Sequence, residues 1–305
     1  ATILVWRAVA WNPSRRIVRN ALPPLWNFAA SISLSTILIY VVTNADDQMV
    51  GYHLGQESLG FYALAYSFMA WPVRDVLGGV SVVLYPIFSR FQDEADRLQA
   101  VYLESLQLAT AFAFPTLALI TITASLLVPT LLGARWIPIT LTVQILALSG
   151  LRESTMMLNG AVYRAVGRPQ IQILLMACNV ACFLPAFVVG VDFGIEGMAF
   201  FYLLTGLLLY PVALWLVLSV AHISLRAWLA ALLPITAATV LMSAAAVISL
   251  HLLYDVFQAD ELVSLVITGI CSGAVYALVL YILTPLGVKR TVLTALQYIH
   301  RYTSE

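Results

Sequence analysis

Residues 194–220 read GIEGMAFFYLLTGLLLYPVALWLVLSV, with Glu196 as their single charge. As a helix rising 1.5 Å per residue, the run is longer than the ~30 Å hydrocarbon core of a bilayer is thick. No face of it is polar enough to meet water, so a soluble fold would have to enclose it on every side. The pattern recurs in both directions. Comparable apolar segments lie near 25–43, 58–88, 101–131, 137–163, 170–190, 226–250 and 262–284. Eight such faces cannot all be buried in a chain of 305 residues standing in water. In lipid they need no burial. The expected fold is therefore all-α: a polytopic helical membrane protein with about eight transmembrane helices.

Composition agrees. The residues AVILMFWYC make up 62% of the chain and charged residues only 10%, against about 25% charged in an ordinary globular domain. The zero formal net charge gives no reason to expect nucleic acid as a partner. Cys178, Cys182 and Cys271 all fall inside apolar runs and form no disulfide framework. His53, His222, His251 and His300 lack metal-ligand spacing. No nucleotide-type glycine loop, G-x-S-x-G or H-E-x-x-H occurs, so neither cofactor nor enzyme activity is expected. The linkers are too short to build a membrane transferase or polymerase site.

The charges give an independent test of the eight segments. With the basic loop at 7–20 on the cytoplasmic side, eight crossings bring the linkers near 89–100, 164–169 and 221–226 and the 285–305 tail to that same side. Those stretches hold Arg7, Arg15, Arg16, Arg19, Arg90, Arg97, Arg164, Arg168, Arg226, Lys289, Arg290 and Arg301. The opposite linkers hold Arg135 and the acids Asp46, Asp47, Glu57, Asp192, Glu196, Asp255, Asp260 and Glu261. A missed or extra span would scramble this alternation. Both termini are expected in the cytoplasm, and the tail's helically spaced apolar residues suit either a surface helix or a simple stop-transfer flank. The chain starts at Ala1 with an apolar scrap ahead of its first arginines, the wrong order for a signal peptide. It reads as the C-terminal part of something longer.

Two charged doublets fall within apolar segments: Arg74-Asp75, after Trp71-Pro72, and Arg152-Glu153. A charge at bilayer depth costs on the order of 3 kcal/mol, and such residues normally face a bundle interior or a wet cavity. Neighbours on a helix point about 100° apart, so neither doublet is expected to neutralise itself. Arg74 and Arg152 are candidate ligands for an anionic group; Asp75 and Glu153 are candidate counter-ions or proton-coupling groups. The alternative for each is a structural interhelical ion pair. Asn159, two helical turns beyond Arg152, extends a polar stripe and is a third substrate-binding candidate, while Asn179 is expected to make an interhelical hydrogen bond. Pro72 and Pro115 should kink the second and third spans. Gly269 and Gly273 form a small-residue packing motif.

Several segments resemble one transporter family. They are NADDQMVGYHLG at 44–55, LGFYALAY at 59–66, PIFSRFQD at 86–93, LLGARW at 131–136 and RAVGR at 164–168. In order and spacing they are similar to motifs of the polysaccharide (O-antigen and exopolysaccharide, colanic-acid-exporter-like) flippases, within the multidrug/oligosaccharidyl-lipid/polysaccharide exporter superfamily. The likeness covers roughly 25–170. It implies two six-helix bundles around a cavity, of which this chain would hold the second, at 25–220, plus two additional helices at 221–284. Residues 1–24 would be the end of a preceding helix with a basic loop, and the N-terminal bundle would lie outside the chain. The resemblance implies an inner-membrane carrier of undecaprenyl-diphosphate-linked oligosaccharide, with a polysaccharide polymerase as a partner using the product. It also places Asp46 at the family's acidic position, a coupling-ion candidate. A cation or multidrug antiporter of the same superfamily is the second reading, but the balance of Arg74 and Arg152 against Asp75 and Glu153 favours an anion carrier. A lipid-modifying enzyme or a non-transporting scaffold stands further off.

Overall fold

A computed structural model describes residues 22–283, and every regular element among them is helical. The chain runs through α1 (Leu22–His53), α2 (Gly55–Ala70), a wide π-type turn (Trp71–Val76), α3 (Leu77–Arg90) and α4 (Ala95–Leu132). A 3-10 segment (Ala134–Ile139) leads into α5 (Thr140–Met156), then α6 (Asn159–Ala165), α7 (Pro169–Gly190) and α8 (Gly194–Val220). Last come α9 (Leu225–Leu250), a second π-type turn (His251–Val256) and α10 (Glu261–Leu283). Over their described residues the eight apolar segments lie in helix, the fourth with a turn at Met157–Leu158. Among the described residues five stretches are long and apolar enough to cross a membrane, and the bent pair Gly55–Gly79 and Val83–Arg90 makes a sixth. One of the five, Pro169–Val220, is a hairpin of α7 and α8 rather than one rod. Phe183 and Phe187 of α7 pack on Tyr202 of α8 at ring distances of 5.4 and 6.3 Å. The basic loop at 7–20 and the 285–305 tail lie outside the described residues.

Local chemistry explains the ends. Gly133, at φ +92°, closes α4, and Gly194, at φ +73°, starts the return helix of the hairpin; both values lie where an L side chain is strained. Pro169 occupies the first turn of α7, where its missing N–H costs nothing. Ser224 caps α9 by accepting a hydrogen bond from the Ala227 N–H at 3.2 Å.

Two expectations change. The bend in the second span, 49°, falls between Gly79 and Val83 and not at Pro72, whose strain the π-type turn absorbs. The NADDQ run is not a linker either. α1 continues through it to His53, which carries Asp46 into the protein interior. Pro115 sits inside an unbroken α4 of 38 residues.

The helices pack around apolar clusters. One joins Tyr62, Met69, Val143 and Leu146 to Phe183, Phe187 and Tyr202. Another joins Phe88, Tyr102 and Leu106 to Leu158, Val162 and Trp228. Leu208, Trp215, Leu233 and Ile270 point outward and are each more than 60% exposed, which suits lipid as the surrounding solvent. Among the described residues nothing approaches within 4 Å of a side chain built at Gly269 or Gly273. The predicted small-residue packing is therefore not made to any of these helices.

The α9–α10 hairpin docks on α4 through backbone carbonyls in the turns that precede prolines. Pro115 has no N–H to offer the Ala111 carbonyl one turn back; the Tyr276 hydroxyl of α10 donates to that oxygen at 2.8 Å. Pro234 leaves the Ala230 carbonyl of α9 without its helical donor, and the Gln107 amide of α4 donates to the neighbouring Ala231 carbonyl at 3.0 Å. Tyr276→Phe should lower stability by about 1 kcal/mol, the scale of an interhelical hydrogen bond in a membrane protein. Thermal unfolding in detergent checks this, and an unchanged melting temperature would discount the bond.

Candidate functional site

The charged candidates of the second and fourth spans meet at Glu153. Its Oε1 accepts from Arg152 Nη2 at 3.4 Å and from the Tyr202 hydroxyl of α8, while Oε2 lies 3.9 Å from Arg74 Nη2. Their side chains are 16%, 15% and 32% exposed for Arg152, Glu153 and Arg74. The expectation that adjacent Arg152 and Glu153 would not pair is thus corrected. Long side chains can fold toward each other despite a 100° difference in Cβ direction. One carboxylate between two guanidinium groups leaves a net charge of +1 and unused N–H donors on both arginines.

An aromatic ladder extends the cluster toward α1. The Arg74 guanidinium stands 5.1 Å over the Tyr66 ring. Tyr66 is 6.1 Å from the Tyr202 ring and 6.3 Å from Tyr62. The Tyr62 hydroxyl donates to Asp46 Oδ2 at 3.0 Å, and Asp46 is only 2% exposed. Its other oxygen accepts from the Asp47 N–H at 3.1 Å. Tyr62→Phe removes the only side-chain donor to this carboxyl among the described residues and should cost about 1–3 kcal/mol, the penalty for a buried acceptor that loses its partner. Unfolding of the variant beside Asp46→Asn measures it; equal stability of wild type and Tyr62→Phe would contradict it.

The remaining candidates separate. Asp75 is exposed and joins neither arginine. Asn159 is buried, and its Oδ1 accepts from the Tyr102 hydroxyl of α4 at 2.9 Å. It makes the interhelical bond expected of Asn179, whereas Asn179 bonds to no described residue and faces a cavity. Arg152 and Asn159 still share that cavity, although the helix breaks between them.

Arg152 is where two of the open spaces meet. The first is a polar pocket of about 130 Å³ that also includes Asn159, Tyr163, Asn179 and Tyr210. The second is a groove of about 720 Å³ between α5, α8 and α9, apolar apart from a few groups such as Arg226 and Tyr210, and walled by Leu207, Trp228 and Leu233. Gly206 makes the seat for Arg152. A side-chain carbon at Gly206 would lie 2.8 Å from its Cζ, Nε and Nη2, so the guanidinium lies against the α8 backbone. Sequence reasoning missed Tyr66, Tyr202 and Gly206, because each reaches Arg74 or Arg152 only through packing. Among the described residues no group of His, Cys, Asp and Glu could hold a metal ion.

Comparison with known proteins follows the same direction. Residues 1–141 match the family described as polysaccharide biosynthesis protein. The chain is 26% identical over 180 residues to the lipopolysaccharide biosynthesis protein WzxC of Escherichia coli (strain K12), covering 59% of this chain and 37% of that protein. It is 26% identical over 168 residues to the teichuronic acid biosynthesis protein TuaB of Bacillus subtilis (strain 168), covering 54% of this chain and 35% of that one. The matches thus span little more than a third of the length of these relatives. The fold is that of the lipid II flippase MurJ in an inward closed conformation, with a TM-score of 0.66 over 93% of this chain and 59% of that chain at 13% identity.

Proposed function

We propose, on the premise that this chain is a relative of the polysaccharide biosynthesis proteins, that it belongs to a carrier which moves a lipid-linked oligosaccharide from the cytoplasmic to the outer leaflet. The observation that carries the reading is the net-positive Arg74–Glu153–Arg152 cluster, opening through Arg152 into both a polar pocket and an apolar groove. A diphosphate-linked glycan has matching parts. Its phosphates call for guanidinium donors, its sugars for polar walls, and its lipid for an apolar face. Glu153 holds the arginines while the site is empty, and an entering anion competes for them. Such an exchange couples occupancy to the packing of α2 against α5 and α8. The names of WzxC, TuaB and MurJ support this substrate class.

The same reading assigns residues 25–220 to one six-helix bundle and 221–284 to two additional helices. It places the protein in the inner membrane with the arginine-rich linkers in the cytoplasm, and makes a polysaccharide polymerase the user of its product. Purified protein in liposomes carrying a fluorescent undecaprenyl-diphosphate-linked saccharide tests it. A membrane-impermeant quencher should reach the inner-leaflet label at least tenfold faster than in protein-free liposomes. An unchanged rate would contradict the assignment.

A further inference from the structure

The polar pocket beside Arg152 holds more unsatisfied donors than the packing of helices calls for. Tyr163 is 1% exposed, yet its hydroxyl has no hydrogen-bond partner among the described residues. Arg152 Nε is likewise buried without one. The Asn179 amide lines the same space and bonds to no described residue. Buried polar atoms are nearly always paired, and each exception asks for a cause. Their residues come from α5, α6 and α7 and line one cavity.

The lining decides the ligand's sign. It contains Arg152, three amides and two phenols, and no acidic side chain. Glu153 is the nearest carboxylate on Arg152, but it engages Nη2 and leaves Nε free. A cation would find no counter-charge here, whereas an oxyanion would find a guanidinium N–H, a phenol and an amide N–H. The volume, about 130 Å³, is roughly four times the ~30 Å³ share of a liquid water. That is room for one acidic substituent and the edge of the sugar ring bearing it.

We propose that this pocket is an anion subsite that takes the carboxylate or phosphate substituent of an acidic sugar, with Arg152, Tyr163 and Asn179 as its donors and Gly206 as the residue that positions Arg152. The ligand class rests on the carrier reading above, whereas the donor set and its preference for anions rest on the pocket alone.

Binding of D-glucuronate, glucose 1-phosphate, inorganic phosphate and D-glucose to the purified protein in nanodiscs tests it by calorimetry. Glucuronate and glucose 1-phosphate should bind at least tenfold tighter than glucose. Inorganic phosphate, lacking the ring, should bind more weakly than glucose 1-phosphate; equal binding would reduce the subsite to a general anion hole and overturn the sugar assignment. Tyr163→Phe and Asn179→Ala should each weaken glucuronate at least fivefold. Removing an unpaired buried hydroxyl does not weaken a fold, so Tyr163→Phe should melt no lower than wild type, separating a ligand role from a structural one. Gly206→Ala should push the flexible guanidinium aside and weaken binding similarly in a folded protein. Equal affinity for glucose and glucuronate, or variants that bind like wild type, would overturn the proposal even if the liposome assay succeeds. Variant-sensitive glucuronate binding by a protein that moves no lipid would uphold the subsite and remove the carrier reading instead.

Discussion

Arg152→Ala should reduce the initial rate of lipid-linked saccharide movement at least tenfold while membrane levels stay near normal. Arg152 is the one charged side chain common to the ion cluster, the polar pocket and the apolar groove. Without it Glu153 keeps the Tyr202 hydroxyl and a distant Arg74 at 3.9 Å. The net charge of the Arg74–Glu153–Arg152 cluster then falls from +1 to zero, and the attraction for an anionic head group falls with it. Breaking a fully buried ion pair costs about 3–5 kcal/mol, but Arg152 is 16% exposed, so the folding penalty should be smaller than the functional one. Arg152→Lys should restore only part of the rate, because a lysine offers a point charge without the planar fork. Transport measured in liposomes at matched protein content decides this. A rate within twofold of wild type for Arg152→Ala would remove the residue from the site.

The second large effect is on the fold. Gly197→Ala should cost about 3 kcal/mol or more, at the upper end for overpacking a tight contact. A methyl group there would sit 2.5 Å from the Gly190 carbonyl oxygen and press on Phe193 Cβ. Unlike the guanidinium facing Gly206, a backbone oxygen cannot rotate away, so the whole α7–α8 hairpin would have to open. That hairpin carries Tyr202, Gly206 and Asn179. Gly269→Ala, where nothing lies within 4 Å, is the matched control and should be neutral. Melting curves in detergent compare the two, and equal melting temperatures would show that the hairpin contact is looser than described.

The helices were legible because an apolar run long enough for the bilayer admits few other readings. The α4 and α8 boundaries at Gly133 and Gly194 mark positions that need positive φ. The site was legible in parts. Arg74, Arg152 and Glu153 were visible as costly charges in apolar surroundings, and they do meet. Their arrangement was not visible. Helical-wheel geometry places Cβ directions, but the ends of Arg and Glu side chains travel far enough to override it. Asp46 looked like part of an outward linker because polarity mimics a loop, whereas one tyrosine 16 residues later gives it a buried partner. The partners of the two asparagines were hidden for the same kind of reason. Whether an amide finds Tyr102 or a cavity depends on helix rotation, which a single apolar sequence does not encode.

The leaflet distribution of the lipid-linked oligosaccharide tests the central claim most directly. The gene is deleted in its host, and spheroplasts are labelled with a glycan probe that cannot cross the membrane. The account predicts that outward labelling falls as glycolipid accumulates inside, that the wild-type gene restores it, and that the Arg152→Ala gene does not. Unchanged outward labelling in the deletion strain, with surface polysaccharide intact and no second carrier in the genome, would contradict it.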